Sequence, residues 1–458
     1  MRTRAIALQP LLLPGPLLAT ILPGTASTEH AQAGVPFMKP HIPYALALAV
    51  LSSGPAAAQN DLEQRARAIH ERVLTIDTHD DIPFNFGSDE VNACTELPRQ
   101  VDVPKMRRGG LDVAFFIVYV GQGARTAEGN EEARAQALRK FEGIHRLTEQ
   151  QCPNQIELAY TADDVERIAH SGKLVAAIGI ENGYVVGNDL SLLARYHELG
   201  ARYITLAHGG HNDIADSATP RENEPASEHD GLSPFGERVV AEMNRLGIMV
   251  DVSHISKGAA LDAMRLSKAP VIASHSSTRA IADHPRNMDD ETLQMLKQNG
   301  GVMQTVAFAS YVKVQPPERQ EAIQALRQEV GLGGGRGGRG GGRGGIEQLS
   351  QENRATYERG MAEIERRWPS ANVSDFVDHI DHAVQLIGID HVGISSDFDG
   401  GGGVGGWNDA AETFNVTLEL VRRGYTEEQI AKLWSGNLLR VWRANERVAR
   451  EMRAGTAR

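Results

Sequence analysis

Seven polar residues of this chain follow short apolar runs, and their side chains are of the types that bind divalent metal ions. Imidazole nitrogens and carboxylate oxygens are ligands of catalytic zinc. Because alternate residues of a strand point the same way, a His-x-Asp triplet there can bind one cation with both side chains. The order and types of these residues are those of a hydrolase with two zinc ions. The seven residues are His79, Asp81, Glu181, His208, His254, His275 and Asp397.

Five of the seven are predicted metal ligands. Glu181 ends a fully apolar run, where a carboxylate is costly unless it is paired or bound to metal. We interpret it as a carboxylate that bridges two metals, and an ion pair with an arginine is the structural alternative. A single histidine after a strand is more often structural. Two of them on adjacent strands, His254 and His275, together with His79 and Asp81, favour a metal site because neutral imidazole suits zinc.

The remaining predicted site residues have catalytic or substrate-binding roles. Asp397, at the end of the last apolar run, suits a proton shuttle, with a turn-forming aspartate as the alternative. His208 has no evident metal-binding partner and suits either an electrophilic role on a substrate carbonyl or a structural hydrogen bond. Arg286, followed by Asn287, suits a two-pronged contact with a substrate carboxylate, although a surface arginine is the commoner explanation.

Polar side chains at the carboxyl ends of many strands indicate an α/β fold, the (β/α)8 TIM barrel, whose chemistry lies on its C-terminal face. Eight apolar runs alternate with helical sequence, which favours a closed parallel barrel. The predicted strands are residues 73–78, 112–120, 174–180, 203–207, 248–252, 270–273, 301–308 and 392–396. Thr426 and Gln429 form a capping-box pattern at the start of the last helix.

An insertion interrupts this alternation between strands seven and eight, around residues 311–372. Within it, residues 331–345 are nearly all glycine and arginine, a composition typical of a flexible loop. Helical patterns flank this run at residues 318–330 and 346–368, and they suit a lid or an oligomer contact such as a homodimer. Arg-Gly-Gly repeats also occur in RNA-binding segments, but the acidic chain disfavours a nucleic-acid partner.

Composition and the N-terminus indicate a single exported domain. Lysine and arginine number 47 against 59 acidic residues, a net charge of −12, so no basic field is present to attract nucleic acid. Residues 1–59 have the pattern of a signal or targeting segment, with the true start at Met38 as the simplest account. Residues 60–458 are then one barrel domain, periplasmic or secreted, with no stable membrane anchor. Cys94 and Cys152 are able to pair in an exported protein.

Several motifs together resemble the membrane (renal) dipeptidase family, zinc-dependent peptidases of the metal-dependent amidohydrolase superfamily. The similarity runs from about residue 68 to residue 442. The motifs are DTHDDIP at 77–83, IENG at 180–183, TLAH at 205–208, DVSH at 251–254, SHSS at 274–277, RN at 286–287, GISSDFDG at 393–400 and NLLRV at 437–441.

The resemblance implies roles for the site residues. His79 and Asp81 would bind one zinc, His254 and His275 the other, and Glu181 would lie between them. It further implies that His208 stabilises the oxyanion, that Arg286 holds the carboxylate of a dipeptide and that Asp397 handles the proton.

The resulting hypothesis is that a hydroxide shared by two zinc ions attacks the peptide bond of a dipeptide, with tolerance of a C-terminal D-residue. Another dinuclear zinc amidohydrolase, an N-acyl-amino-acid deacylase or a lactonase, is the alternative. Asp80 departs from the family, which usually has asparagine there, and would add negative charge beside the site.

Overall fold

A parallel barrel carries the predicted site residues. The structure, a computed structural model, describes residues 55–332 and 349–455. Eight strands follow one another in the order β1-β2-β4-β5-β6-β7-β8-β9, and a short strand, β3, pairs with β4 outside this path. The ring is joined where Asp81 N donates to Phe398 O at 2.8 Å, just after β9. The strands are β1 (Ile76–Asp81), β2 (Val113–Tyr119), β3 (Ile156–Leu158), β4 (Leu174–Glu181), β5 (Ala201–Thr205), β6 (Met249–Asp251), β7 (Ile272–Ser276), β8 (Val302–Val306) and β9 (Val392–Ser395).

The (β/α)8 prediction is confirmed, but several strand limits differ from those expected. β1 ends at Asp81 rather than residue 78, and β7 ends at Ser276 rather than residue 273. His79, Asp81 and His275 therefore lie within strands instead of beyond them. The reason is that pairing with neighbouring strands continues past the apolar residues on which the prediction rested. β3 was missed because three residues are too few to show a period.

Helices alternate with the strands, and many begin at a residue whose side chain caps the first turn. Asn372 and Thr426 each form a capping box with the residue three positions on. The helices of the described chain include Pro55–His70, Val103–Gly109, Ala127–Arg146, Leu147–Gln151, Ala162–His170, Gly183–Val186, Ser191–Glu198, Pro234–Leu246, Lys257–Leu266, Asp290–Asn299, Ala309–Val312, Pro317–Glu329, Gln351–Arg367, Val373–Ile387, Ile389–His391, Ala410–Glu412, Phe414–Arg422, Glu427–Ala431, Lys432–Gly436 and Asn437–Arg453.

Between β8 and β9 the structure has the predicted insertion, with helices at Pro317–Glu329 and Gln351–Arg367. Residues 333–348, most of the Gly/Arg-rich run, lie outside the described residues, as does the predicted leader up to residue 54. None of the helices in the described part of the chain has the length and apolar character needed to cross a bilayer.

The barrel interior is filled by alternate side chains of its strands, such as Phe115 of β2 and Tyr203 of β5. Tyr203 lies against Gly179 of β4, where a Cβ would collide with the tyrosine ring. Trp442 of the last helix packs on Phe115 with ring centroids 5.8 Å apart. Glycine at 179 therefore makes room for a buried tyrosine that reaches the site described below.

A disulfide joins Cys94 to Cys152, which answers a question that the sequence left open. The bond closes a segment with a sequence separation of 58 residues, and such a cross-link stabilises mainly by restricting the unfolded chain. Replacing both cysteines by serine is expected to lower the free energy of unfolding by about 4 kcal/mol, from the loop-closure entropy of a segment this long. Urea unfolding of both proteins, with and without reductant, measures this. Equal stability of the variant and the oxidised protein would contradict the expectation.

Candidate metal centre

Glu181 lies among the predicted ligands, and its two carboxylate oxygens face different histidines. Oε1 is 3.0 Å from Nε2 of His254 and 3.5 Å from Nε2 of His275. Oε2 is 3.8 Å from Nε2 of His79, and Oδ2 of Asp81 is 3.9 Å from that same nitrogen. The structure therefore brings the five residues together around one carboxylate, although they come from four different strands or strand ends.

Three groups of donor atoms in this cluster are close enough to hold a cation, with all atoms of a group within 4.8 Å of one another. Glu181 belongs to two of them, which is the geometry required of a bridging ligand. The family resemblance assigns His275 to the same metal as His254, whereas one of these groups places His275 with His79. Nε2 of His275 nevertheless lies 2.6 Å from Nε2 of His254. The groups are His79 with Glu181 and His275, Glu181 with His208 and His254, and His79 with Asp81 and Asp397.

Hydrogen bonds on the far side of two imidazoles leave their Nε2 atoms available as ligands. Tyr203 Oη donates to Thr78 O at 2.8 Å, so it accepts from Nδ1 of His79 at 3.0 Å. Ser274 Oγ donates to Asp251 Oδ2 at 2.7 Å, so it accepts from Nδ1 of His275 at 2.7 Å. A neutral imidazole protonated on Nδ1 carries a lone pair on Nε2, and such an outer bond orients histidine ligands of metals.

These atoms fit a divalent metal. Glu181 Oε2 is buried and accepts no hydrogen bond from any residue that the structure describes. Lone pairs of imidazole nitrogens and carboxylate oxygens face one another there, an arrangement that a cation between them stabilises. Nitrogen and oxygen donors of this kind are those of catalytic zinc sites.

The titration of the cluster agrees with this donor set. Burial by itself raises the pKa of Glu181, but the neighbouring imidazoles, His208 first among them, outweigh it, and the pKa lies well below its ordinary value. Burial lowers the pKa of His254 well below the ordinary value and also lowers that of His275. Glu181 is therefore an ionised carboxylate, and burial favours the neutral forms of His254 and His275.

Asp80 is the position at which the sequence predicts added negative charge. It is fully buried beside the centre. Burial, followed by the charges of Asp77 and the nearby carboxylates, raises its pKa well above the ordinary value. Burial and the neighbouring carboxylates therefore oppose the ionisation of Asp80.

His208 lies closer to the metal ligands than the sequence indicated. Its Nε2 is 3.2 Å from Oε1 of Glu181, and its ring centroid is 4.0 Å from that of His254. The ring of Tyr119, at the end of β2, also packs against it, with ring centroids 4.8 Å apart. The expectation that His208 lacks a partner is wrong, because the order of strands in the barrel places residues after β5 beside the end of β4.

Asp397 follows β9 in a left-handed conformation, with φ of 58°. Its carboxylate, together with His79 and Asp81, forms one of the three groups of atoms that are close enough to hold a cation. Gly400 lies directly against it, because a Cβ at that position would collide with the carboxylates of both Asp397 and Asp81. The loop after β9 therefore places the Asp397 carboxylate at the edge of the cluster, where close approach requires glycine.

Arg286 and Asn287 lie in the loop after β7, and both are buried. Arg286 Nη2 donates to the backbone carbonyl of His275 at 3.0 Å, and its Nε donates no hydrogen bond to any described residue. The amide nitrogen of Asn287 donates to the carbonyls of Ala282 and Tyr311, both at 2.8 Å. Arg286 thus has donor capacity left for a ligand, whereas both donors of Asn287 bind backbone carbonyls, one in its own loop and one in the helix Ala309–Val312.

Sequence reasoning missed the residues that orient the ligands, namely Tyr203, Ser274 and Asp251. Asp251 accepts hydrogen bonds from the backbone and side chain of Ser274 and from the hydroxyl of Thr205. Asp251 and Ser274 lie within motifs that carry the family resemblance, but the signal for an orienting role was position alone: each of the three is a polar or amphipathic residue in or beside an apolar strand, where an unpaired polar group is costly.

Replacing Tyr203 by phenylalanine is expected to weaken metal binding by about 10- to 100-fold, because His79 loses the bond that orients it. Competition with a chelator measures the affinity. Tyr196→Phe is a matched control, since it also removes a buried hydroxyl, one that donates to Val185 O at 2.8 Å, away from the cluster. Equal metal affinity in the two variants would contradict the proposed orientation of His79.

A TIM barrel with a buried histidine and carboxylate cluster at its strand ends defines a class of metal-dependent hydrolases. A match to the membrane dipeptidase family, peptidase family M19, spans residues 63–456. The chain belongs to this family and is therefore a metal-dependent peptide-bond hydrolase.

Individual relatives agree with this assignment. The dipeptidase tcpJ of Claviceps purpurea is 32% identical over 366 residues, which are 79% of this chain and 73% of the relative. The crystal structure of the probable dipeptidase PvdM from Pseudomonas aeruginosa is 36% identical, has a TM-score of 0.73, and matches 85% of this chain and 100% of its own. A Rhodobacter sphaeroides metallopeptidase, solved with a phosphinate mimic of L-Ala-D-Ala, shares the fold at 22% identity and a TM-score of 0.62, over 81% of this chain and 99% of its own.

Proposed function

We propose that this protein is an exported dipeptidase that uses two zinc ions, with His79 and Asp81 on one, His254 and His275 on the other, and Glu181 between them. The observation that carries the proposal is the position of Glu181, whose Oε1 faces His254 and His275 and whose Oε2 faces His79. When bound, the metal pair lowers the pKa of a water molecule and polarises the scissile carbonyl.

The protein's own residues then bind the substrate and move the proton. Arg286 binds the C-terminal carboxylate of the dipeptide, since its Nε has donor capacity left and arginine suits two-pronged contacts. Asn287 holds the loop that carries Arg286 and presents its Oδ1 towards the substrate. His208 donates to the oxygen that gains negative charge during attack. Asp397 accepts the proton of the attacking water and passes it to the leaving amine.

Export, stereochemical tolerance and assembly are further parts of the proposal. The Cys94–Cys152 disulfide supports export, because such bonds persist in oxidising compartments. Tolerance of a C-terminal D-residue rests on membership of the dipeptidase family. The single domain over residues 60–458 and the homodimer remain predictions.

Hydrolysis of a matched substrate panel tests the function. The panel contains L-Ala-L-Ala, L-Ala-D-Ala, an L,D-dipeptide amide, an N-acyl amino acid and a lactone, each assayed with zinc-loaded protein. We expect both dipeptides to be hydrolysed and the amide to be poor, because it lacks the carboxylate that Arg286 binds. Preferential hydrolysis of the acyl amino acid or the lactone would instead favour the deacylase or lactonase alternative.

A further inference from the structure

Gln100, in the loop between β1 and the following helix, holds the loop of residues 397–403 through most of its polar atoms. Its backbone nitrogen donates to Oδ1 of Asp399 at 3.1 Å, and its side-chain Oε1 accepts from Asp399 N at 2.7 Å. Its Nε2 donates to the carbonyls of Gly402, at 2.9 Å, and Asn408, at 2.7 Å. The side-chain amide of Gln100 thus binds the loop at Asp399 and at Gly402, on either side of Gly400.

The loop that Gln100 binds has an unusual backbone path, in which Gly402 N donates to Asp397 O at 2.7 Å. Asp397 and Asp399 both adopt left-handed conformations, with φ of 58° and 62°, which are uncommon outside glycine, although aspartate adopts them more readily than most residues. Gly400 lies between the two points that Gln100 binds and contacts the carboxylates of Asp397 and Asp81 so closely that a Cβ would collide with both. The path of residues 399–402 therefore determines where the Asp397 carboxylate lies.

We propose that Gln100 is a positioning residue for proton transfer: it acts through Asp399 and Gly402 to hold the Asp397 carboxylate beside His79 and Asp81. This inference rests on the proposed role of Asp397. Gln100 itself touches neither substrate nor metal ligand in this scheme, so its loss affects the rate of the chemical step rather than substrate or metal binding.

Gln100→Met tests the proposal, because methionine is similar in length and lacks the amide. We expect kcat for an L,D-dipeptide to fall on the order of 100-fold, the effect of displacing a reacting group by about 1 Å. KM and zinc content are expected to stay unchanged. Gln136→Met, which removes one exposed hydrogen bond to Glu132, is the control and should match the unsubstituted protein. If Gln100→Met does not fold, Gln100→Glu, which keeps the acceptor for Asp399 N but loses both donors, is measured instead.

A double-mutant cycle separates positioning from general loop support. If Gln100 acts through Asp397, the Gln100 substitution should cost less than about threefold in kcat when Asp397 is already asparagine, because coupled residues are not additive. A 100-fold loss in both backgrounds, a rise in KM, loss of zinc, or an unchanged kcat would each overturn the proposal. Full activity of Asp397→Asn alone would refute the role of Asp397 in the proposed function, whatever Gln100→Met does.

Discussion

Asp397→Asn is expected to lower kcat for dipeptides by roughly 1,000-fold, within the usual contribution of general acid–base catalysis. Asparagine keeps the size of the side chain and neither accepts nor delivers the proton. The metal ligands proposed for this site do not include Asp397, so zinc content is expected to stay the same. Steady-state kinetics together with metal analysis of the same sample measure both quantities.

Asp283→Asn is a suitable control for this variant. Asp283 lies in the loop after β7, its side chain is 90% exposed, and it forms an ion pair with Arg279. The control should retain normal kinetics. If Asp397→Asn keeps near-normal kcat with its metals bound, the proton passes through another group and the assigned role is wrong.

Glu181→Gln is expected to remove both the metals and the activity. Glutamine preserves the volume but replaces one carboxylate oxygen by an amide NH2, which cannot bind a cation, so the two metals lose their shared anion. Without the metal pair, neither the attacking water nor the scissile carbonyl is activated, and we therefore expect kcat/KM to fall by about 1,000-fold or more, equivalent to about 4 kcal/mol of transition-state stabilisation. Metal analysis after dialysis and a dipeptide assay measure the two effects.

Assaying Glu181→Gln in excess zinc distinguishes weakened metal binding, which added zinc partly reverses, from damage to the fold, which added zinc does not reverse. Glu198→Gln, which changes an exposed carboxylate at the end of the helix Ser191–Glu198, controls for the substitution itself. A Glu181→Gln protein that retains two metals and full turnover would show that this carboxylate is not a ligand.

The barrel and the composition of the site were predictable because their signals are local. An apolar run and the polar residue that follows it together occupy about ten positions of the sequence, as expected for parallel strands, which are continuously apolar because they are buried on both faces. The family motifs extend over short windows of the same kind. Histidines and carboxylates after such runs therefore indicated both the fold and the ligand set.

What the sequence did not reveal depends on neighbours that are remote along the chain. Tyr203 orients His79 from 124 positions away, and Gln100 binds Asp399 across 299 positions. His208 contacts Glu181 because β4 and β5 are adjacent, a fact of strand order rather than of local pattern. These residues carry no unusual spacing, and their roles follow only from the closed ring of strands.

The most direct test of the account is anomalous diffraction at the zinc edge from crystals of the zinc-loaded protein. Two peaks are expected, about 3.5–4 Å apart as in other two-metal sites, one on either side of the Glu181 carboxylate. His79 and Asp81 are expected beside one peak, and His254 and His275 beside the other. A single peak, or a pair of peaks that Glu181 does not touch, would contradict the account.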